Sequence, residues 1–359
     1  RAHDRTRRTP QAGASRTCSG MARAGRGSLL LASLLVSLGC TLTFSAVQPE
    51  TDEEWGPIIA VMAQPLGNAT DYLPASYVKW LELGGARVVP VMYEATDREV
   101  DAIFANTNGL LLIGGDAPVC SAARRFLANA VSAAKGGDAY PIWGTCDGFE
   151  WLMQMAAKDD GALQPGFDAE NLPLPLELTA AAAGSRLLAD AGDTMAQRSP
   201  RLSVLGALGA LPVTFNSHKQ GVTPATFNAS ASLSSFFTVL ATNRDRKGRR
   251  FISMVEAADP TLKVYATQFH PEKTIFEWGQ DASGKLVQAI PHSRAAVAVS
   301  QYLANFFVDE CRASAHRFAS PTDQWEHLIY HSPQWLAQPT LLSPAFVESY
   351  VFGSSKYSH

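Results

Sequence analysis

The stretch from Pro57 to Leu152 constrains the fold more than any other part of the chain. Apolar runs alternate there with amphipathic ones: "PIIAVMAQ" reads as a buried strand, "ASYVKWLELGG" as a helix ended by glycine, and "ARVVPVMY" as a second strand. "TDREVDAIFANT" follows as a helix capped by Thr96 or Asp97, and "GLLLIGG" is a third strand. "AARRFLANAVSAAKGG" is a helix with a glycine stop, and "YPIWGT" is a fourth strand. A strand that is apolar at every position has no face to give to water, so both faces need cover. Strands alternating with helices meet that need as an α/β fold with a parallel sheet. In such a sheet, sites form at the carboxyl ends of the strands.

Residues 161–235 break the rhythm. They are rich in Pro, Ala and Gly ("LPLPLELTAAAAGS", "LGALGALP") and are expected to form short antiparallel strands and loops. Strand-like runs return in "FFTVLATN", "RFISMVEA" and "KVYATQFHPE", and "HSRAAVAVSQYLANFFVDECRA" is the clearest long helix. The tail from Phe318 mixes aromatics and prolines and is expected to wrap the surface. No internal repeat or long linker appears, which predicts one domain.

A hydrophobic fraction of 46% and a charged fraction of 18% are those of an ordinary globular protein. A formal net charge of -3 gives no reason to expect nucleic acid or an anionic membrane as partner. There is no Walker loop, no G-x-G-x-x-G after a strand, no paired C-x-x-C and no H-E-x-x-H, so neither a metal nor any other cofactor is expected.

Residues 1–20 are basic, turn-rich and without apolar periodicity, and read as a leader that is not part of the fold. From Met21, taken as the start, the order is basic residues (Arg23, Arg26), the apolar run "LLLASLLVSLG", then small residues through Ala46. That order predicts a secretory signal peptide over 21–46, with no stable membrane insertion after cleavage; a signal anchor is the alternative. Secretory entry makes the sequons at Asn68 and Asn228 glycan sites on the surface. It also leaves Cys120, Cys146 and Cys311, an odd set with at least one free thiol. A Cys120–Cys311 pair stays open.

Cys146 sits in "GTCDGFE", where a strand turns at once into a helix. A reactive residue at such an apex is a nucleophile elbow, with glycines permitting a strained backbone and close strand–helix approach. The helix N-terminus favours a thiolate, and the N–H after the cysteine points to where an oxyanion would form. A small cysteine packed in the core is the plain alternative. Partners favour the elbow: "YATQFHPEK" places His270 and Glu272 just beyond another strand, as base and orienting carboxylate.

"GTCDGFE" with "FHPEKTIFEW" resembles the gamma-glutamyl hydrolase family, within the class I glutamine-amidotransferase-like fold. "NSHK", "ATNRDRKGRRFISMVE" and "YLANFFVDECR" extend the similarity from about Pro57 to near Phe352. The resemblance implies a flavodoxin-like three-layer sandwich, mostly parallel with a small antiparallel insertion, its catalytic domain over 57–316 and a packed tail over 317–359. It implies hydrolysis of gamma-glutamyl bonds in folate and antifolate poly-gamma-glutamates, secreted or in lysosomes or vacuoles, with a homodimer left open. Cys146 would be the nucleophile, His270 the base and Glu272 its orienting carboxylate. Gly115 and Asp147 would supply the oxyanion N–H groups. His218 would lie near the substrate together with Glu150, and Lys219 and Lys273 are cations for a polyanionic tail.

The chain departs from the family pattern at Asp147, where an apolar residue is usual. The expectation is an acid pointing outward in the first helical turn. The segment "GGDAPVCSAARRF" is also shorter and less polar than usual, and "SHKQGV" lacks the aromatic residue often found after the H-K pair. Two other readings stand beside hydrolysis. One is a glutaminase-type amidotransferase, against which Glu150 speaks because Gln is usual there; the other is a non-catalytic folate- or peptide-binding relative.

Overall fold

The apolar runs of the first half fold as parallel strands, buried at nearly every position. The computed structural model describes residues 55–67, 70–191, 203–332, 334–336 and 346–353. The expected leader over 1–20, the expected signal peptide over 21–46 and Asn68 lie outside the described residues. In chain order the first half comprises β1 (Ile58–Met62), β2 (Gln64–Gly67), β3 (Thr70–Pro74), α1 (Ala75–Leu83), β4 (Arg87–Val91), α2 (Asp97–Asn106), β5 (Gly109–Leu112), α3 (Ser121–Lys135), β6 (Ile142–Thr145) and α4 (Asp147–Ala157). The middle comprises β7 (Gln164–Pro165), β8 (Leu172–Leu174), β9 (Glu177–Leu178), α5 (Val204–Ala210), β10 (Thr214–Asn216), β11 (Gln220–Gly221), α6 (Pro224–Ala229) and α7 (Ala231–Phe236). The last part comprises β12 (Phe237–Arg244), β13 (Arg250–Ala257), β14 (Val264–Thr267), α8 (Lys273–Phe276), α9 (Arg294–Arg312), α10 (Pro321–His327), β15 (Gln334–Leu336) and β16 (Glu348–Gly353).

Eight strands form the main sheet in the order β4-β1-β5-β6-β14-β13-β12-β9. The run from β4 to β14 is parallel, and β13, β12 and β9 continue it antiparallel. Alternate residues of β1 enter opposite cores: Ile59 and Val61 pack with α1 and α9, Ala60 and Met62 with α3 and α4. Both faces are therefore covered, as strands without a polar side demand. From β1 the chain crosses to β4 on one side and then to β5 on the other. That reversal opens a crevice at the carboxyl ends of the strands.

Local chemistry explains where the helices begin. Thr96 caps α2 in a capping box with Glu99. Cys120 caps α3, its sulfur accepting from the Ala123 N–H at 3.4 Å. Cys120 and Cys311 lie in separate cores on opposite faces of the sheet, and both are free thiols. The middle segment departs from expectation. Besides short antiparallel pairs its described residues hold three α-helices, α5, α6 and α7, whose N-termini are capped by Ser203, Thr223 and Ser230. The N-terminal caps, with Pro224 in the first turn of α6, overrode the Gly- and Pro-rich composition.

In the tail, β16 pairs antiparallel with β3 and with β15, completing a four-stranded sheet with β2. The Val347 N–H donates to Glu277 at 2.7 Å, which brings the tail to the segment just after α8. Among the described residues, no helix is long and apolar enough to cross a membrane, and no cluster of His, Cys, Asp and Glu could hold a metal ion.

Candidate active site

The loops that follow β1, β5, β6 and β14 meet at one edge of the sheet, because these four strands are parallel neighbours. β14 pairs with β6 so that Thr267 stands opposite Thr145, which makes Cys146 the next residue on one strand and Gln268 on the other. The Cys146 N–H donates to Thr267 O at 2.9 Å, and the turn to His270 and Glu272 starts from there.

Cys146 has φ +54°, a conformation that a non-glycine residue adopts only under constraint. The constraint is the closeness of strand and helix. A Cβ on Gly148 would lie 2.2 Å from Leu112 O, and one on Gly144 would lie 2.6 Å from Gly148 O. The two glycines of G-x-C-x-G are thus required by contact, and the elbow carries the strain at its apex.

The His270 turn is anchored by the His270 N–H donating to Phe215 O at 2.9 Å. His270 Nδ1 lies 2.8 Å from Glu272 Oε1, and both residues are buried. An ionised carboxylate only accepts, so Nδ1 carries the proton and Nε2 keeps its lone pair. Gly114 separates this imidazole from the cysteine. A Cβ placed there would sit 2.9 Å from His270 Cε1 and 3.3 Å from Cys146 Cβ. Cys146 Sγ also lies 3.8 Å from Ser217 O, a weak S–H donor contact.

Two expectations are corrected here. The helix N-terminus was expected to favour a thiolate, yet burial pushes the Cys146 thiol well above its ordinary range, and the charges of Glu150, Asp147 and Glu272 push it the same way. Desolvation and three acids outweigh the helix dipole. Asp147 was expected to point outward, yet its side chain is buried. Its carboxyl accepts from Gln64 Nε2 at 2.9 Å and from the Ala117 N–H, and burial together with Glu150 raises its pKa well above the carboxylate range. A buried carboxyl held by Gln64 and by the Ala117 N–H replaces the outward-pointing side chain.

Glu150 is buried too, and desolvation lifts it to about 7 although Gln268 Nε2 donates to it at 3.0 Å. His218 lies beside the site. Its Nδ1 donates to Gln220 O at 2.7 Å, Nε2 is buried without a partner, and burial pushes the imidazole down to about 4. It packs edge-on to Phe251 at 4.7 Å, and the nearby His270 also disfavours its charge. Gly115 follows directly from the Gly114 wedge, and a Cβ there would lie 2.2 Å from Gln64 Cδ. By position, the Asp147 N–H is one of the four that α4 leaves unpaired.

The lysines divide. Lys219 is exposed and pairs with Glu170 at 3.2 Å. Lys273 is buried, donates to Gln288 at 3.2 Å and lies 4.4 Å over the Phe346 ring. Asn228 is exposed on α6. Sequence reasoning missed Tyr77, Gln64 and Gln268. Tyr77 reads as one more core residue of an apolar helix, whereas Gln64 and Gln268 were legible as polar residues directly after buried strands.

A family model described as Glutamine amidotransferase class-I matches residues 75–285. The chain is 33% identical to gamma-glutamyl hydrolase B of Dictyostelium discoideum over 313 residues, 83% of this chain and 84% of that protein. It is 33% identical to gamma-glutamyl hydrolase of Homo sapiens over 336 residues, 90% of this chain and 98% of that protein. With gamma-glutamyl hydrolase of Mus musculus the identity is 36% over 286 residues, 76% of this chain and 83% of that protein. An α/β sheet of this topology, a cysteine elbow beside a His–Glu pair, and this similarity over most of its length make the chain an enzyme that belongs to the gamma-glutamyl hydrolase family, with the class I glutamine amidotransferase fold.

Proposed function

We propose that the chain hydrolyses gamma-glutamyl bonds of folate and antifolate poly-gamma-glutamates through a thioacyl intermediate on Cys146. One observation carries this reading: a cysteine strained to φ +54° at the end of β6, beside the His270–Glu272 pair at the end of the adjacent strand β14. The relatives named gamma-glutamyl hydrolase support the substrate class.

The chemistry runs as follows. A neutral thiol does not attack a carbonyl, so attack is coupled to proton transfer from Cys146 Sγ to His270 Nε2. The Sγ–C bond forms at the gamma-carbonyl carbon. The oxygen takes up the negative charge and is received by the N–H groups of Gly115 and Asp147, worth about 3 kcal/mol of barrier per donor. The C–N bond then breaks, His270 protonates the departing amine, and a thioester remains. Water then adds to the thioester carbon as His270 takes its proton. The C–S bond of the tetrahedral adduct breaks, His270 returns the proton to Cys146 Sγ, and the shortened product leaves as a carboxylic acid. Glu272 stabilises the imidazolium in both halves. Burial raises the Asp147 carboxyl, which disfavours a carboxylate charge close to the oxyanion.

Incubation of the enzyme and its Cys146→Ala variant with folate pentaglutamate, read by mass spectrometry, tests the reading. Shortened folates from the parent alone are expected. Equal cleavage by the variant, or ammonia release from free glutamine in place of folate shortening, would overturn it. We further propose a secretory setting, supported by the pattern from Met21 to Ala46 and by the exposed Asn228 sequon. Retention of the protein inside expressing eukaryotic cells, unglycosylated, would count against that setting.

A further inference from the structure

Tyr77 lies on α1, away from both Gly114 and the His270 turn in sequence, yet its hydroxyl touches both. The Gly114 N–H donates to that hydroxyl at 2.8 Å, and His270 Nδ1 lies 3.3 Å from it. Glu272 is close enough that its carboxylate acts on the hydroxyl electrostatically. The residue is fully buried, and a Cβ on Gly114 would lie only 2.7 Å from the hydroxyl oxygen. Only glycine lets the end of β5 approach this closely.

Counting protons fixes what the hydroxyl does. A phenol has one proton to give and lone pairs to accept with. A lone pair receives the Gly114 N–H. The proton has two conceivable acceptors, His270 Nδ1 and Glu272. Nδ1 already carries the hydrogen that it donates to Glu272 Oε1 at 2.8 Å, so it cannot accept. Glu272 Oε2 is buried without a hydrogen-bond partner, so its carboxylate is the one acceptor left for the Tyr77 proton to turn to. Were the proton given to Nδ1 instead, the hydrogen of His270 would sit on Nε2, and the imidazole could not take one from Cys146.

We infer that Tyr77 is a positioning residue of the proposed hydrolysis: its hydroxyl ties the Gly114–Gly115 strand end to the His270–Glu272 pair and holds the His270 proton on Nδ1. One atom thereby sets the base and the oxyanion side of the site in register. The inference rests on the reading of Cys146 as nucleophile and His270 as its base. It is a new role for a residue that otherwise reads as core.

Tyr77→Phe deletes the oxygen and keeps the ring. With folate pentaglutamate as substrate, kcat is expected to fall roughly 10- to 100-fold, with KM within about threefold, because the loss falls on proton transfer and not on binding. Alkylation of Cys146 by iodoacetamide at neutral pH is expected to slow in the same variant. A packing role alone would move neither quantity, since the ring remains. A folded Tyr77→Phe enzyme with kcat and alkylation rate within about twofold of the parent would overturn the inference. If that variant does not fold, nitrogen NMR of His270 in the unmodified enzyme decides: a protonated Nδ1 is expected, and a protonated Nε2 with bare Nδ1 would overturn it. The Cys146→Ala control separates the two proposals. Full cleavage without the cysteine removes the underlying reading, whereas full activity of Tyr77→Phe beside an inactive Cys146→Ala removes only the role of Tyr77.

Discussion

Glu150 shows how one residue of the site stores a pH dependence. Burial lifts its carboxyl to about 7, well above an ordinary glutamate, so the folded protein holds a proton that the unfolded chain has released. Its contribution is fully present below about pH 4.5 and is lost as the pH rises through about 7; two to three pKa units correspond to roughly 3 kcal/mol. Glu150→Gln keeps an oxygen to accept from Gln268 and cannot ionise. Urea denaturation is therefore expected to show near-equal stability of the two proteins at pH 5, and a variant more stable by about 2 kcal/mol at pH 8. Parallel pH curves would refute this account of Glu150. The acid at this place was legible in the sequence, as was the cysteine with its His270 and Glu272. Its raised pKa was not, nor was that of Asp147, because burial depends on which loop closes over α4. Asp147 was expected outside for that reason, and the Gln64 amide that clamps it comes from 83 residues away in the chain.

At the scale of elements, the elbow depends on how closely α4 lies over β5. The Gly148 N–H donates to Ile113 O at 3.0 Å, and a Cβ at Gly148 would penetrate Leu112 O. Gly148→Ala has to push the helix outward, at a cost of about 3 kcal/mol, and it tilts the Cys146 apex with it. A lower melting temperature together with slower alkylation of Cys146 is expected; a variant that melts and reacts as the parent would show that the contact yields freely. The same element scale explains what could and could not be read beforehand. The parallel strands announced themselves by apolar runs, and α2 by its capping box. The helices α5, α6 and α7 hid in Gly- and Pro-rich sequence, although Ser203, Thr223 before Pro224, and Ser230 were legible caps. Their shortness, not an absence of signal, made the segment read as strands and loops.

Across the whole molecule, the site exists because the carboxyl ends of β1, β5, β6 and β14 fall side by side, while α1 sends Tyr77 in from outside that row. The order of strands along the sheet is a property of the fold that no local pattern states. The sequence therefore offered Cys146, His270 and Glu272, the proposed nucleophile, base and orienting acid, as separate motifs. It left out Tyr77, Gln64 and Gln268, which bond to Gly114 and His270, to Asp147 and to Glu150 respectively. Phe215, Ser217 and His218 enter from β10 and the turn after it, so that the middle segment roofs the elbow. In the proposed reaction the acyl group passes through Cys146. Rapid acid quenching of the enzyme during turnover of folate pentaglutamate, followed by peptide mass spectrometry, tests it most directly. The account predicts a mass increment equal to the acyl portion, on the peptide containing Cys146 and labile to hydroxylamine. Turnover with an unmodified Cys146 peptide at every quench time, together with an acyl group found on another residue, would contradict it.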